Sequence, residues 1–310
     1  MKIKIGTRRS RLAMWQTNTV LALINKQFPD VEVEIIPVST LGDKDKSTPL
    51  AQLGQTGVFT KELEDALLAG QCDVAVNSFK DMATTQPDGL MVGAVLEREQ
   101  PMDVLISRDG LPLEELKKGA LVGSSSLRRR ALLLKNRPDL CLADLRGNVP
   151  TRLKAVGVQI KEGKEPSGQP LDATVLAFAG IKRLGLDTHI TQILPVETFL
   201  PAPAQGAVAI QIRSDDSAVK EIVSAFNHKP TQLVTTAERK FLQVMEGGCH
   251  IPLGALATLD ATEITLTGIV LSEDGDDYVE SKIRGTDPNR IGEDLAQCLL
   301  ALGGYEILKR

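Results

Sequence analysis

Short apolar runs alternate with longer amphipathic stretches through the first hundred residues. KIKI at 2–5 is strand-like, and residues 11–27 predict a long helix. VEVEIIPV at 31–38 sets Val31, Val33 and Ile35 against Glu32 and Glu34, the alternation of a half-buried strand. TKELEDALLAG puts Leu63 and Leu67 on one helix face and stops at Gly70. DVAVN (73–77) and MVGAVL (91–96) predict strands. This rhythm implies a mostly parallel sheet with helices on its faces.

The rhythm resumes with VLIS (104–107), then ALVGSS leading into the helix SLRRRALLLKN. ATVLAFAG (173–180) predicts a buried strand, and AVAIQI (207–212) another after the break LPAPAQG. KEGKEPSGQP (161–170) predicts an exposed loop. Near the end, ITLTGIVL (264–271) and DYVESKIR (277–284) predict a hairpin across EDGD. Asp287-Pro288 then opens a helix whose inner face is expected to carry Ile291, Leu295, Cys298 and Leu302.

Composition narrows the classes. A chain of 310 residues predicts two or three domains. With 42% hydrophobic and 25% charged residues it is an ordinary globular composition. A net charge of −4 and only 3% aromatics argue against nucleic-acid binding. No apolar run approaches the ~18 residues of a membrane helix. The first residues carry charges where a secretory apolar core would lie. The cysteines at 72, 141, 249 and 298 form no CxxC pair, so a reduced cytosolic chain is expected. Cys72, Cys141 and Cys298 are expected to act as small hydrophobes. His189, His228 and His250 are scattered, and no metal site is expected.

Clustered arginines in an acidic chain are the main chemical signal. Arg8 lies in GTRRSR, Arg128 and Arg129 in SSSLRRR, Arg146 and Arg152 in LRGNVPTR, and Arg183 in GIKR. Several follow predicted strands, at the sheet edge where α/β proteins bind ligands. Ser124, Ser125 and Ser126 add hydroxyls beside a helix start. Guanidinium forks suit carboxylate or phosphate, so a cleft for a polyanionic small molecule is expected; surface arginines are the alternative. Arg9, Arg11 and Arg130 are expected to be structural. NSFKDMAT places Ser78, Lys80 and Asp81 at a strand end, suited to acid–base work or to holding a cation. EGGCHIPLG predicts an irregular loop carrying Cys249, a candidate nucleophile or covalent attachment point. Motifs for nucleotide phosphates, dinucleotides, triad hydrolysis and zinc proteolysis are absent.

GTRRSRLAMWQ, GVFTKELEDALL, the SFKD element, VGSSSLRRR, LRGNVPTRL, AGIKRLGL, LPAPAQGA and EGGCHIPLGA, in this order, resemble the porphobilinogen deaminase (hydroxymethylbilane synthase) family over essentially the whole chain. The resemblance implies two periplasmic-binding-protein-like α/β lobes with mixed, mostly parallel sheets, joined by two crossings, plus a small C-terminal α+β domain. The boundaries it implies are 1–97 with 203–225 for the first lobe, 98–202 for the second, and 226–310 for the third domain. It implies a cytoplasmic monomer that condenses four porphobilinogen molecules head to tail, with loss of ammonia, on a dipyrromethane cofactor. Cys249 matches the thioether anchor and Asp81 the catalytic aspartate. Lys80, Ser78, Ser124, Ser126, Arg128, Arg129, Arg146, Arg152 and Arg183 match cofactor-binding positions, and Arg8 and Phe59 substrate-binding ones. The chain departs from the family pattern at Thr56, Asn77 and Ala83. A solute receptor of the same two-lobed build would explain the arginines but not Cys249 or the third domain.

Overall fold

A computed structural model describes residues 1–40, 60–161, 163, 165, 169–245 and 251–309. The chain first builds β1 (Lys2–Thr7), α1 (Arg11–Gln27), β2 (Glu32–Pro37), α2 (Lys61–Leu68), β3 (Val74–Ser78) and β4 (Leu90–Val95). It then forms β5 (Asp103–Ser107), β6 (Leu121–Gly123), α3 (Leu127–Asn136), β7 (Cys141–Ala143), α4 (Val149–Ala155), β8 (Ala173–Ala177), α5 (Phe178–Arg183) and β9 (Gln192–Ile193). Strand β10 (Val208–Arg213) returns to the first sheet.

The two five-stranded sheets share one plan. Their orders are β2-β1-β3-β10-β4 and β7-β6-β8-β5-β9. In each, the first two pairings are parallel and the last two antiparallel. The reversed strands, β10 and β5, are the ones that follow a crossing between lobes. The sheets are therefore mixed, with every other strand pointing one way. Alternation explains the layering. Ile3, Ile5, Val74 and Val76 bury against Val20 and Ile24 of α1, while Ala75 and Cys72 meet Leu63 and Leu67 of α2 on the opposite face. Gly6 is needed there, because a Cβ would come within 2.8 Å of Cys72 Sγ.

The remaining chain forms α6 (Ser217–Ser224), α7 (Lys229–Val244), β11 (Leu253–Asp260), β12 (Glu263–Leu271), β13 (Tyr278–Gly285), α8 (Pro288–Leu299) and α9 (Tyr305–Leu308). The last three strands form an antiparallel sheet covered by α7 and α8 around Phe241, Leu266 and Leu295. The predicted hairpin and the Asp287-capped helix are both present, with Asp287 Oδ1 accepting from Asn289 and Arg290 N–H.

Several expectations are corrected. The apolar run 173–180 is a strand only to Ala177; helix α5 starts at Phe178, a switch that a short apolar run cannot signal. Leu302 is 56% exposed, because the backbone leaves α-helical geometry over Leu300–Gly304 and Gly303 takes φ 100°. Leu299 fills the inner face instead. Cys141 is exposed on the short edge strand β7, so it is not a core residue. Helix α7 and strand β11 were not anticipated by the pattern. Residues 161, 163, 165, 169 and 170 are exposed and lie outside helix and strand. Among the described residues no helix is long and apolar enough to cross a membrane.

Candidate active site

Strand ends from both lobes converge on a cavity of about 500 Å³. From the first lobe, β1 hands over to Arg8 and to Ser10, whose hydroxyl caps α1 by accepting from Ala13 N–H at 3.2 Å. Strand β3 ends at Ser78 and turns at once into a single 3₁₀ turn, Phe79–Asp81, which places Lys80 and Asp81 on the wall. Gln16 Nε2 donates to Ser78 Oγ at 2.9 Å. Arg239, from α7, donates to the carbonyls of Phe79, Met82 and Ala83 and lies 4.2 Å from the Phe79 ring centroid. The third unit thus grips the turn that carries Asp81.

The second lobe supplies guanidiniums. Arg129 comes from the first turn of α3, and Arg146 and Arg152 flank the Asn148-capped start of α4. Arg152 Nε donates to Gly147 O at 2.8 Å. Arg183 closes α5, donates to Gly206 O at 2.7 Å across the lobes, and sits 5.3 Å from the Trp15 ring centroid. Among the described residues Asp81 is the only carboxylate on this wall.

The excess of cations shows in the electrostatics. Burial, then the neighbouring Arg129, push the Lys80 ammonium down to about 8, against the pull of Asp81 and Asp103. Burial pushes Arg152 down to about 10, with Arg129 and Arg146 adding to it. A site already crowded with positive charge gains most from a bound polyanion.

Arg128, Ser124 and Ser126 are not on the cavity wall. Arg128 is buried, donating to Asp103 Oδ2 at 2.6 Å and Leu200 O at 2.7 Å. Ser126 caps α3, and Ser124 Oγ accepts from Ser126 N–H, so both hydroxyls serve the helix start. Ser125 is the serine that reaches the wall. Arg9 and Arg11, expected to be structural, line the cavity, whereas Arg130 does not. Phe59, Cys249 and Thr56 lie outside the described residues. Asn77 is buried, and its Nδ2 has no partner among them.

Sequence reasoning missed Asp103 and Gln205. Asp103 is fully buried between Arg128 and Arg129, and Arg129 donates to its Oδ1 at 2.7 and 3.0 Å. Burial pushes the Asp103 carboxyl up, but the two guanidiniums outweigh it and hold it well below the usual carboxylate range. The available signal was an aspartate opening the otherwise apolar strand DVLIS. Among the described residues no group of three or more His, Cys, Asp or Glu side chains is placed to hold a metal ion.

Two α/β lobes enclosing a cationic cavity with, among the described residues, a single wall carboxylate form a cleft suited to a polyanionic small molecule. Residues 3–221 match the model of the porphobilinogen deaminase dipyrromethane cofactor binding domain, and residues 232–301 that of the porphobilinogen deaminase C-terminal domain. The porphobilinogen deaminase of Pelotomaculum thermopropionicum is 46% identical over 311 residues, covering 100% of this chain and 96% of that protein. That of Geobacter sulfurreducens is 45% identical, covering 99% and 94%. The chain belongs to the porphobilinogen deaminase family. Among solved structures, the methionine binding protein MetQ is 13% identical with a TM-score of 0.44, covering 73% of this chain and 89% of that one.

Proposed function

We propose that this chain condenses four porphobilinogen molecules head to tail into hydroxymethylbilane, on a covalently held dipyrromethane primer, and that Asp81 is its catalytic residue. The observation that carries the assignment of Asp81 is its place as the one carboxylate, among the described residues, on a wall of guanidiniums. Each porphobilinogen brings two carboxylates, and Arg8, Arg146, Arg152 and Arg183 offer charge-assisted forks for them. With those substituents neutralised, breaking the aminomethyl C–N bond expels ammonia and leaves the substrate pyrrole short of electrons. Asp81 offsets that charge while the free α-carbon of an acceptor pyrrole forms the new C–C bond to the substrate's methylene, and it accepts the proton that this α-carbon loses as the acceptor ring rearomatises.

The donor set also fits the cofactor, since a dipyrromethane carries the same acidic substituents. Lys80, Ser78, Arg129, Arg146, Arg152 and Arg183 would hold it, with Cys249 as the thioether anchor. When bound, that group supplies the pyrrole carbon to which the first substrate is joined. Arg128, Ser124 and Ser126 act behind the wall by fixing the start of α3. The reading assigns 1–97 and 203–225 to the first lobe, 98–202 to the second and 226–310 to the cofactor-cysteine domain. It includes a cytoplasmic monomer; the unpaired Cys72, Cys141 and Cys298 fit a reducing compartment.

Asp81→Asn tests the reading. Ammonia release and bilane formation from porphobilinogen should fall at least ~10²-fold, within the range for a lost acid–base group. The thermal melt and the intact mass, including the cofactor, should match the wild type. Near-wild-type turnover would leave Asp81 a solvated surface carboxylate.

A further inference from the structure

The passage between lobes is built around one fully buried amide, Gln205. Its Nε2 donates to Pro101 O at 2.7 Å and to Asp103 Oδ1 at 3.0 Å. Both partners are acceptors, so the NH₂ must face them and Oε1 must face the other way. There it accepts from Lys80 Nζ at 3.0 Å. The amide therefore has a fixed orientation and joins three segments: the turn after β3, the first crossing, and the start of β5.

The backbone holds Gln205 just as firmly. Arg98 Nε donates to its carbonyl at 2.8 Å, and its own N–H donates to Ala202 O at 3.0 Å. Its neighbour Ala204 sits at φ 59°, a left-handed conformation that is unfavourable for a residue with a Cβ. Ala204 N–H is tied to the buried Glu238 Oε2 at 2.6 Å, which holds the strained residue in place.

We propose that Gln205 is a positioning residue of this cavity: its amide holds the Lys80 ammonium at the cavity floor and couples it, through Asp103, to Arg129 of the opposite lobe. The proposal rests on the functional reading of Lys80 and Asp81 given above. Lys80 and Asp81 share one turn, so anchoring Lys80 also limits where the Asp81 carboxylate can point. A neutral acceptor suits the place. The charges facing Lys80 are Arg129 and Arg128 from α3, Asp81 from its own turn and Asp103 from β5, while Arg239 of α7 binds the carbonyls of that turn. A carbonyl oxygen stabilises the ammonium among these cations without adding a second buried carboxylate beside Asp103.

The test is competitive acetylation of Lys80 with acetic anhydride across pH, read by peptide mass spectrometry, in the wild type, Gln205→Met and Gln205→Glu. Met keeps the volume but removes the acceptor, so the Lys80 labelling midpoint should drop by about one pH unit. Glu adds a negative acceptor, so the midpoint should rise. The two variants thus move it in opposite directions, which a loss of packing would not do, and either one that melts cooperatively suffices. Identical midpoints in all folded proteins overturn the proposal. The alkaline limb of kcat/KM for ammonia release should follow the same shifts. Shifted labelling in the variants, with a wild type that never turns over porphobilinogen, would instead overturn the functional reading and leave the Gln205–Lys80 coupling standing.

Discussion

Two fully buried carboxylates, Asp103 and Glu238, stand on either side of the lobe crossings and are treated in opposite ways. Glu238 meets one guanidinium, with Arg98 donating at 2.7 and 3.1 Å, and completes its shell with the N–H groups of Ala204 and Ala257 at 2.6 and 2.8 Å. That joint is electrically balanced and ties the crossings to β11 of the third unit. Asp103 meets Arg128, Arg129 and, through Gln205, Lys80. It is outnumbered, and the surplus positive charge faces the cavity. A balanced ion pair fastens structure, whereas an outnumbered carboxylate packs cations together for a ligand to neutralise.

The strongest way to break this contrast is Asp103→Asn. Two buried guanidiniums would lose their counter-charge, and breaking a buried pair in this way costs about 3–5 kcal/mol. Denaturant unfolding should show that loss together with loss of turnover; a loss below ~1 kcal/mol would mean that water already screens the cluster. The pH dependence has a definite sign. The folded carboxyl is held below its ordinary value, so its contribution is fully present above the unfolded range near ~3.9 and disappears as pH falls towards the folded value. Wild type should therefore lose stability in acid more steeply than Asp103→Asn. Lys80 acts in the opposite sense. Its folded value of about 8 lies below the ordinary 10.5, so burying its charge costs stability at neutral pH, and that cost is relieved as pH rises through this window.

Glu238→Gln should have a smaller effect. Only one guanidinium, rather than two, loses its counter-charge, so the loss should lie at the low end for a broken buried pair, about 3 kcal/mol. Because Glu238 is not on the cavity wall, the folded fraction should keep turnover near the wild-type level. Unfolding and ammonia release measured on one preparation separate the two quantities. A collapse of turnover in fully folded Glu238→Gln would show that the joint also shapes the cavity.

The contrast also marks how far the sequence could be read. The strand–helix rhythm and the arginine motifs were visible because periodicity and charge are local. Arg8, Arg146 and Asp81 lie just past strand ends, a place that can be inferred one strand at a time. Arg128 and Arg129 are adjacent and chemically identical, yet Arg128 turns into the interior and Arg129 reaches the wall. That division is set by Asp103, 25 and 26 residues away, and no local pattern announces it. Gln205 was hidden for the same reason, since its partners lie more than 100 residues away in sequence. Cys141 shows the converse: its apolar neighbours suggest a core, but β7 is an edge strand.

The arginine run of α3 gives the gentlest test, because its members differ only in what they face. Arg129→Ala removes a cavity guanidinium and a partner of Asp103, so it should reduce both turnover and stability. Arg128→Ala removes the other Asp103 partner together with a bond to Leu200 O, and its main effect should be on the melt. Arg130→Ala should do least. Its guanidinium reaches Ser124 O at 3.2 Å and Asp144 at 3.5 Å, and the Asp144 side chain is 83% exposed. An exposed pair of that kind contributes less than about 1 kcal/mol. Turnover in Arg130→Ala should stay within about twofold of wild type, since ~0.4 kcal/mol corresponds to that factor. Equal loss of turnover across all three variants would contradict the facing of this helix, because it would mean that burial against Asp103, exposure beside Asp144 and a place on the cavity wall have the same consequence.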